Sequence, residues 1–467
     1  MGLQRLIRLT ATTLTGVAIS LQLAAGERPE IHRHHHYKLI DVGAFGGSNA
    51  FLASPNPGEV LINQRGLVVG AADTPNADPY NPICLLDCSL VHAFTWKDGV
   101  LRDLGALPGV NNSFAFSSNS RGQIVGLSEN GTFDPLTGSP TVHAVLWSHG
   151  DIVDVGTLGG SVSWAGTVND RGQVVGASFN TVPDPFGNSL AIPSPFGVGT
   201  QLRAFLWEDG VIKDLGTLGG PDSEAQYINE RGQIVGQSLT NSMPNPPITA
   251  PACMTAGIPT EHPFLWQGSL IDLGSLGGTC GYANWLTNRG QVVGTMTLAG
   301  DTMNHAFLWD RGMLTDLGTL GGNNSEAYRA NDAGQVVGRA DFSPDSTNHH
   351  AFLWARGLMK DLGTPNGLAC STAEAINASA QIVGDAGVCF VGGNGWLWED
   401  GSIVDLNTLV SSTTNMHVAG AVGINDRGEI VAEGQPVPAD GSSHVVVLIP
   451  CDEEHSGIEG CDYNLAD

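Results

Sequence analysis

Positive charge is what this chain has least of. Lys plus Arg number 20 against 46 Asp plus Glu, a formal charge of −26, and the lysines are only Lys38, Lys97, Lys213 and Lys360. Such a chain offers little to phosphate, so no nucleic-acid partner is expected. Only 14 % of its 467 residues are charged. A helical bundle or coiled coil would be rich in Lys and Glu, so that class is excluded too. Beyond the N-terminus no stretch approaches the roughly 20 apolar residues that a membrane-crossing helix needs, so no membrane span is expected. Glycine, by contrast, is abundant, with 63 Gly beside 25 Pro. A 41 % hydrophobic content and ten Trp argue against disorder.

Arg5 and Arg8 precede a mostly apolar run, Leu9 to Ala25, that ends in the small residues Ala24-Ala25-Gly26. This pattern reads as a secretory signal over 1–26, which places the mature chain outside the cell or on its surface. Residues 27–36 read as a His-rich flexible leader, and no metal or cofactor is expected there or elsewhere. The eight cysteines fit disulfides in an exported chain. Proximity favours Cys84–Cys88, Cys253–Cys280, Cys370–Cys389 and Cys451–Cys461. The last pair would close a loop in an acidic tail over 450–467.

Three motifs recur in fixed order. Asp-Leu-Gly-Thr-Leu-Gly-Gly or a variant starts at Asp41, Asp103, Asp154, Asp214, Asp272, Asp316, Asp361 and, degenerately, Asp405. A motif resembling Asn-Asp-Arg-Gly-Gln-Val-Val-Gly ends at Gly70, Gly126, Gly176, Gly236, Gly294, Gly338, Gly384 and, degenerately, Ala432. A third, resembling His-Ala-Phe-Leu-Trp, ends at Trp96, Trp147, Trp207, Trp266, Trp309, Trp354 and Trp398, with a Trp-free copy over 444–448. The shortest period, Asp272 to Asp316, is 44 residues.

Each unit reads as four short strands joined by Gly-containing turns, with a third strand apolar along its whole length. That pattern calls for a sheet covered on both faces. Stacked four-stranded sheets of this period are propeller blades. The fold expected is an all-β propeller over 37–449 of about eight four-stranded blades, with seven possible because two copies are degenerate. The chain opens on a fourth-strand motif at 37–43 and ends on a third-strand motif at 445–449. The two complete one blade, so the N-terminal strand closes the ring.

These motifs resemble the HAF repeat family, named for the third motif and expected among extracellular bacterial proteins. The resemblance spans about residues 37–449 and implies export and repetition, but no agreed activity. The name-giving triplet is intact at His92, His305 and His350 and altered at His143, Arg203 and His262. The motif order is also similar to Kelch-type blades.

The loop after the second strand varies most. It spans 71–91, 127–142, 177–202 and 237–261 in the first four units, and only 295–304, 339–349 and 385–394 in the next three. All the extra length gathers on one face and one half of the ring. Long loops on a rigid scaffold are where binding usually resides, although tolerated insertions give the same pattern. Asp184, Phe186, Asn245 and Thr249 are the candidate ligand contacts. No catalytic residue stands out, because no nucleophile, zinc or phosphate-loop motif occurs. The expected function is a monomeric scaffold binding an extracellular protein or glycan through the long-loop face. The alternatives are an extracellular polysaccharide hydrolase or lyase, with carboxylates that the sequence cannot pair, and a structural matrix protein. The repeated Asp is expected to satisfy backbone donors at the inter-blade crossing.

Overall fold

The computed structural model describes residues 34–52, 58–80, 88–109, 111–135, 137–186, 199–246, 257–344, 348–389, 392–411 and 415–466. Eight four-stranded antiparallel sheets follow one another along the chain and form a ring, a β-propeller. Blade 1 spans 50–103, blade 2 113–156, blade 3 163–214, blade 4 223–272, blade 5 277–316, blade 6 325–363 and blade 7 370–405. Blade 8 combines 416–450 with Tyr37–Asp41, which pairs with His444–Pro450. The N-terminal strand therefore closes the ring, and the blade count is eight.

The core lies between neighbouring blades. Phe94, Phe205, Phe264, Phe307 and Phe352 of the third strands are fully buried. Phe205 packs with Val125 and Leu146 of the blade before it, and Phe264 with Val175 and Leu206. The continuous apolar character of the third strand is thus the mark of a sheet packed on both sides.

The Gly that ends the second motif has a different cause. Blades 2–8 share a register shift in the inner strand, for example between Ala165 and Thr167 or between Ala327 and Arg329. Beside this bulge a carbonyl of the inner strand crowds the second strand. A Cβ at Gly126, Gly176, Gly236 or Gly338 would overlap the carbonyl of Phe114, Trp164, Glu224 or Glu326. Only glycine fits there.

A side-chain ladder runs around the ring. Asn63 donates from Nδ2 to the Asn119 carbonyl at 2.7 Å, Asn119 to Asn169 at 2.8 Å, Asn169 to Asn229 at 3.1 Å and Asn229 to Thr287 at 3.0 Å. It resumes from Asn331 to Asn377, Asn377 to Asn425 and Asn425 back to Asn63, each at 3.0–3.1 Å. Thr287 stands where an Asn would make the eighth link. Each Asn also accepts backbone N–H groups within its own turn, as Asn229 does from Arg231 and Gln233. The first residues of the second repeat motif therefore shape a turn and tie it to the next blade.

The Asp of the first motif performs the role expected of it. Asp103, Asp154, Asp214, Asp272, Asp316 and Asp361 each accept the N–H of the Gly two residues on, at 2.6–2.8 Å. The same carboxylates take a hydrogen bond from the first residue of the HAF motif: His92, His143, Arg203, His262, His305 and His350 respectively. His444 holds Asp41 in this way across the ring closure, and Asn394 holds Asp405. The name-giving His is thus one half of a latch between the third and outer strands, and Arg or Asn can replace it.

Cys370–Cys389 and Cys451–Cys461 are bonded as expected. Cys88 and Cys280 are also in disulfides; Cys84 and Cys253, their expected partners, lie outside the described residues, as does the segment read as a secretory signal. At the end of the His-rich segment, His34–His35 form a short strand. His34 is buried, bonds Glu399 and Ser402 at 3.0 Å, and pairs with Ala466 of the tail. No helix among the described residues is long and apolar enough to cross a membrane.

Candidate functional site

The inner-strand bulge that demands glycine on one side re-aims side chains on the other. The residue after the bulge lines a funnel on the ring axis: Thr167, Tyr227, Trp285, Arg329, Ala375 and Gly423 in blades 3 to 8. The funnel has a volume of about 370 Å³ and opens on the short-turn face, where a turn from every blade borders it. That volume is within the usual range of ligand sites, about 300–1,000 Å³.

Blade 1 contributes something different. Its inner strand is only Ala50–Phe51. The chain then returns at Gly58, against the carbonyls of Gln226 in blade 4 and Asn284 in blade 5. The Glu59 carbonyl accepts from Nη2 of Arg329 in blade 6. The Val60 N–H reaches Ser117 Oγ in blade 2 at 3.2 Å. A segment that touches blades 2, 4, 5 and 6 must cross the axis, and residues 59–62 form part of the funnel lining.

Blades 4 to 6 fill their share of the funnel with one stack. The Tyr227 and Trp285 rings lie 3.9 Å apart between centroids at 31°. The Arg329 guanidinium lies 4.1 Å from the centre of the Trp285 ring. Blades 3, 7 and 8 carry the smaller Thr167, Ala375 and Gly423 at the same position, and Ile62 of the crossing segment packs against Gly423. The Arg329 Nε is buried without a hydrogen-bond partner. Burial lowers the guanidinium to about 10, so it stays charged at neutral pH. Glu59, 6 % exposed, lacks a partner for Oε2. Burial holds its carboxyl well above the usual range, and nearby Arg329 pulls it back only in part.

The mouth of the funnel is polar. Asp170 accepts from the Ser120 N–H, Glu230 from Asp170, Asp332 from Asn288 and Asp426 from Ala378, at 2.8–2.9 Å. Each of these bonds leads from one blade to its neighbour and engages one carboxylate oxygen. Arg65, Arg121, Arg171, Arg231, Arg289 and Arg427 stand on the same ring of turns.

A second cavity, of about 220 Å³, lies between blades 6 and 7 toward the long-loop face, beside Tyr328, Arg339, Thr372, Glu374 and Asp385. Glu326 accepts from Arg339 Nη2 and from the Tyr328 hydroxyl, each at 3.0 Å. Burial, with the Asp385 charge, raises Glu374 to about 8. Burial raises Asp385 to about 6 against the pull of Arg339. On blade 4, burial raises Glu224 to about 7 and, with the Glu224 charge, Glu261 to about 8.

The long-loop candidates sit apart from both cavities. Asp184 accepts the Phe186 N–H at 3.0 Å, and its own N–H meets the Gly199 carbonyl. Asn245 bonds Ile258 and Thr260 across its loop. These residues shape the loops' own turns. Thr249 lies outside the described residues. Among the described residues no group of three or more His, Cys, Asp or Glu could hold a metal ion.

The residues that sequence reasoning missed are Glu59, Tyr227, Trp285 and Arg329. A signal for them existed. The last three stand nine residues before the Gly that ends the second motif, at a position that varies freely among Leu, Ser, Thr, Tyr, Trp, Arg, Ala and Gly. Glu59 lies in an insertion unique to the first unit.

No protein-family model matches the chain, and no curated protein sequence matches it. Among solved structures it is similar to a puromycin-hydrolysing peptidase of Mycobacterium tuberculosis, at 10 % identity and a TM-score of 0.41 over 86 % of this chain and 63 % of that one. An acylaminoacyl peptidase of Pyrococcus horikoshii gives 10 % and 0.38 over 71 % and 52 %. A gluconolactonase of Xanthomonas campestris gives 9 % and 0.30 over 88 % and 100 %. The matched chain thus spans less than two thirds of either peptidase, and likenesses this distant say nothing about activity.

Proposed function

We propose that this protein is an exported scaffold that binds an extracellular carbohydrate in the axial funnel of its short-turn face. The observation that carries the reading is the funnel itself: a concave site on a rigid ring, to which every blade contributes and in which Glu59 and Arg329 hold unpartnered polar atoms. Each mouth carboxylate is fixed through one oxygen by a neighbouring backbone N–H, which leaves the other to accept. Such preset acceptors complement hydroxyl groups and spend little entropy on binding. The sequence supports export through its N-terminal signal pattern and its resemblance to HAF repeats. The disulfides fit an oxidising compartment.

One assay separates this reading from the hydrolase alternative, which draws support from the split acidities of Glu374 and Asp385 beside a cavity. Purified protein is applied to a panel of immobilised glycans, and both capture and released sugar are measured. Ala378→Trp places an indole at the mouth of the funnel without touching the core. We expect it to abolish capture with an unchanged melting temperature, and no sugar to be released. Capture indifferent to Ala378→Trp refutes the funnel. Sugar release that Glu374→Gln abolishes replaces the binding reading with the hydrolase one.

A further inference from the structure

Resting on that reading, the funnel's inner end narrows the ligand class. We infer that the funnel is built for a carbohydrate bearing a carboxylate, a sugar acid whose oxyanion meets the free edge of Arg329. Three observations converge on it. First, a guanidinium is a planar fork of five donors that matches a carboxylate in shape. Stacking on Trp285 holds this one in place, and its Nη2 is spent on the Glu59 carbonyl while Nε has no partner. Arg329 is oriented before any ligand arrives, and a donor remains unused.

Second, the positive charge has no anchored counter-ion. Buried charges are normally paired. The hydrogen bond between Arg329 and Glu59 runs to the backbone carbonyl, and the Glu59 side chain keeps an unpartnered oxygen at 6 % exposure. Burial, with the Asp385 charge, raises Glu374 of blade 7 to about 8, and it forms no ion pair with Arg329 among the described residues. A carboxylate brought in by a ligand would supply the missing charge.

Third, Arg329 is the one cation among the described residues that line the funnel, beside the carboxylates Glu59, Asp170, Glu230, Asp332 and Asp426. The arginines at 65, 121, 171, 231, 289 and 427 stand on the same turns but outside that lining. Recognition of an anion in the funnel therefore falls on Arg329.

The test is calorimetric titration of the full chain with D-glucuronate, D-glucose and inorganic phosphate. We expect glucuronate to bind at least about tenfold more tightly than either of the others. Arg329→Gln should lose that preference, and Arg329→Lys, which keeps the charge but not the fork, should restore part of it. Ala378→Trp should weaken glucuronate binding with the fold intact, so the result does not depend on Arg329 variants folding. Equal binding of glucose and glucuronate overturns the carboxylate and leaves the carbohydrate reading standing. Phosphate binding as tight as glucuronate overturns it in favour of an unselective anion site. Failure of all three probes, together with glycan capture that Ala378→Trp does not change, overturns both. A chain-terminal uronate is told from a free sugar acid by whether a uronate-ended oligosaccharide competes better than glucuronate.

Discussion

At the scale of single residues, a His–Asp latch and its Arg and Asn variants explain the motif that is most visible in the sequence. The two halves of a latch are not equal. The carboxylate joins two strands and accepts a backbone N–H, while the imidazole supplies one partly exposed partner. Asp316→Ala should therefore lower stability by about 1–2 kcal/mol, because it removes two hydrogen bonds to a charged group at once, from the Gly318 N–H and from His305. His305→Ala should cost less than about 1 kcal/mol, as an exposed ion pair does. Urea unfolding at pH 7 compares them, and equal losses would contradict the hierarchy. The latches also set an acid limit. Burial works to raise Asp103, Asp154, Asp272, Asp316 and Asp361, but the His and Gly hydrogen bonds outweigh it and leave each below the ordinary aspartate value. Lowered values mean that the unfolded chain takes up protons first. The stability contributed is complete above about pH 4 and is lost as pH falls through the lowered values. Asp316→Ala should accordingly flatten the acid branch of the stability curve.

At the scale of the element, the inner strand and its turn divide the labour of fold and site. The turn Asn is fixed by the ring, with Asn229 buried, donating to Gln233 and Thr287 and accepting from Arg231 and Gln233. Asn229→Ala should cost about 2–3 kcal/mol through the stranded backbone groups. Thr287 is the gap in the ladder, and its hydroxyl accepts from the Gln291 N–H within its own turn. Thr287→Asn should complete the ring by donating to the Asn331 carbonyl, and raise stability by about 0.5–1 kcal/mol. A melting temperature that falls in this variant would show that blades 5 and 6 are spaced differently from the rest. The same element explains what the sequence made legible. Strand order, the hairpin turns and the closure of the ring were readable because backbone constraint imposes the same residue type at each of those positions in most of the eight units. The funnel was not, because its residues occupy the positions on which the blade places no demand. Tyr227, Trp285 and Arg329 look like noise in the repeat until the bulge shows that they face the axis. The long loops drew attention by length, yet Asp184 and Asn245 serve the loops' own turns.

At the scale of the whole molecule, ring closure is the point on which everything else depends, because the funnel exists only while all eight blades meet. Tyr37–Asp41 lies against His444–Pro450, with Tyr37 buried among Leu409, Ile430 and Leu448 and with Val42 in the next core along. The contacts extend past the strand. The Cys451 N–H bonds the His36 carbonyl at 2.8 Å, and Cys451–Cys461 closes a loop of sequence separation 10 in the tail that pairs with His34–His35. The two parts of this clasp differ in kind. The disulfide restrains the unfolded chain, and a loop this short is worth about 2–3 kcal/mol on a chain-entropy estimate. The strand covers an edge and two inter-blade cores at once. A chain with the pair Cys451→Ala and Cys461→Ala should therefore melt lower but remain a monomer with native circular dichroism. A chain begun after Asp41 should expose the 444–450 edge, which pairs readily with other chains. We expect that chain to elute as oligomers in size-exclusion chromatography and to lose glucuronate binding, with synthetic 34–43 peptide restoring both properties. If the truncated chain instead elutes as a monomer that still binds, the ring is held by its inner ladder, Asn425 to Asn63, and the outer strand is dispensable.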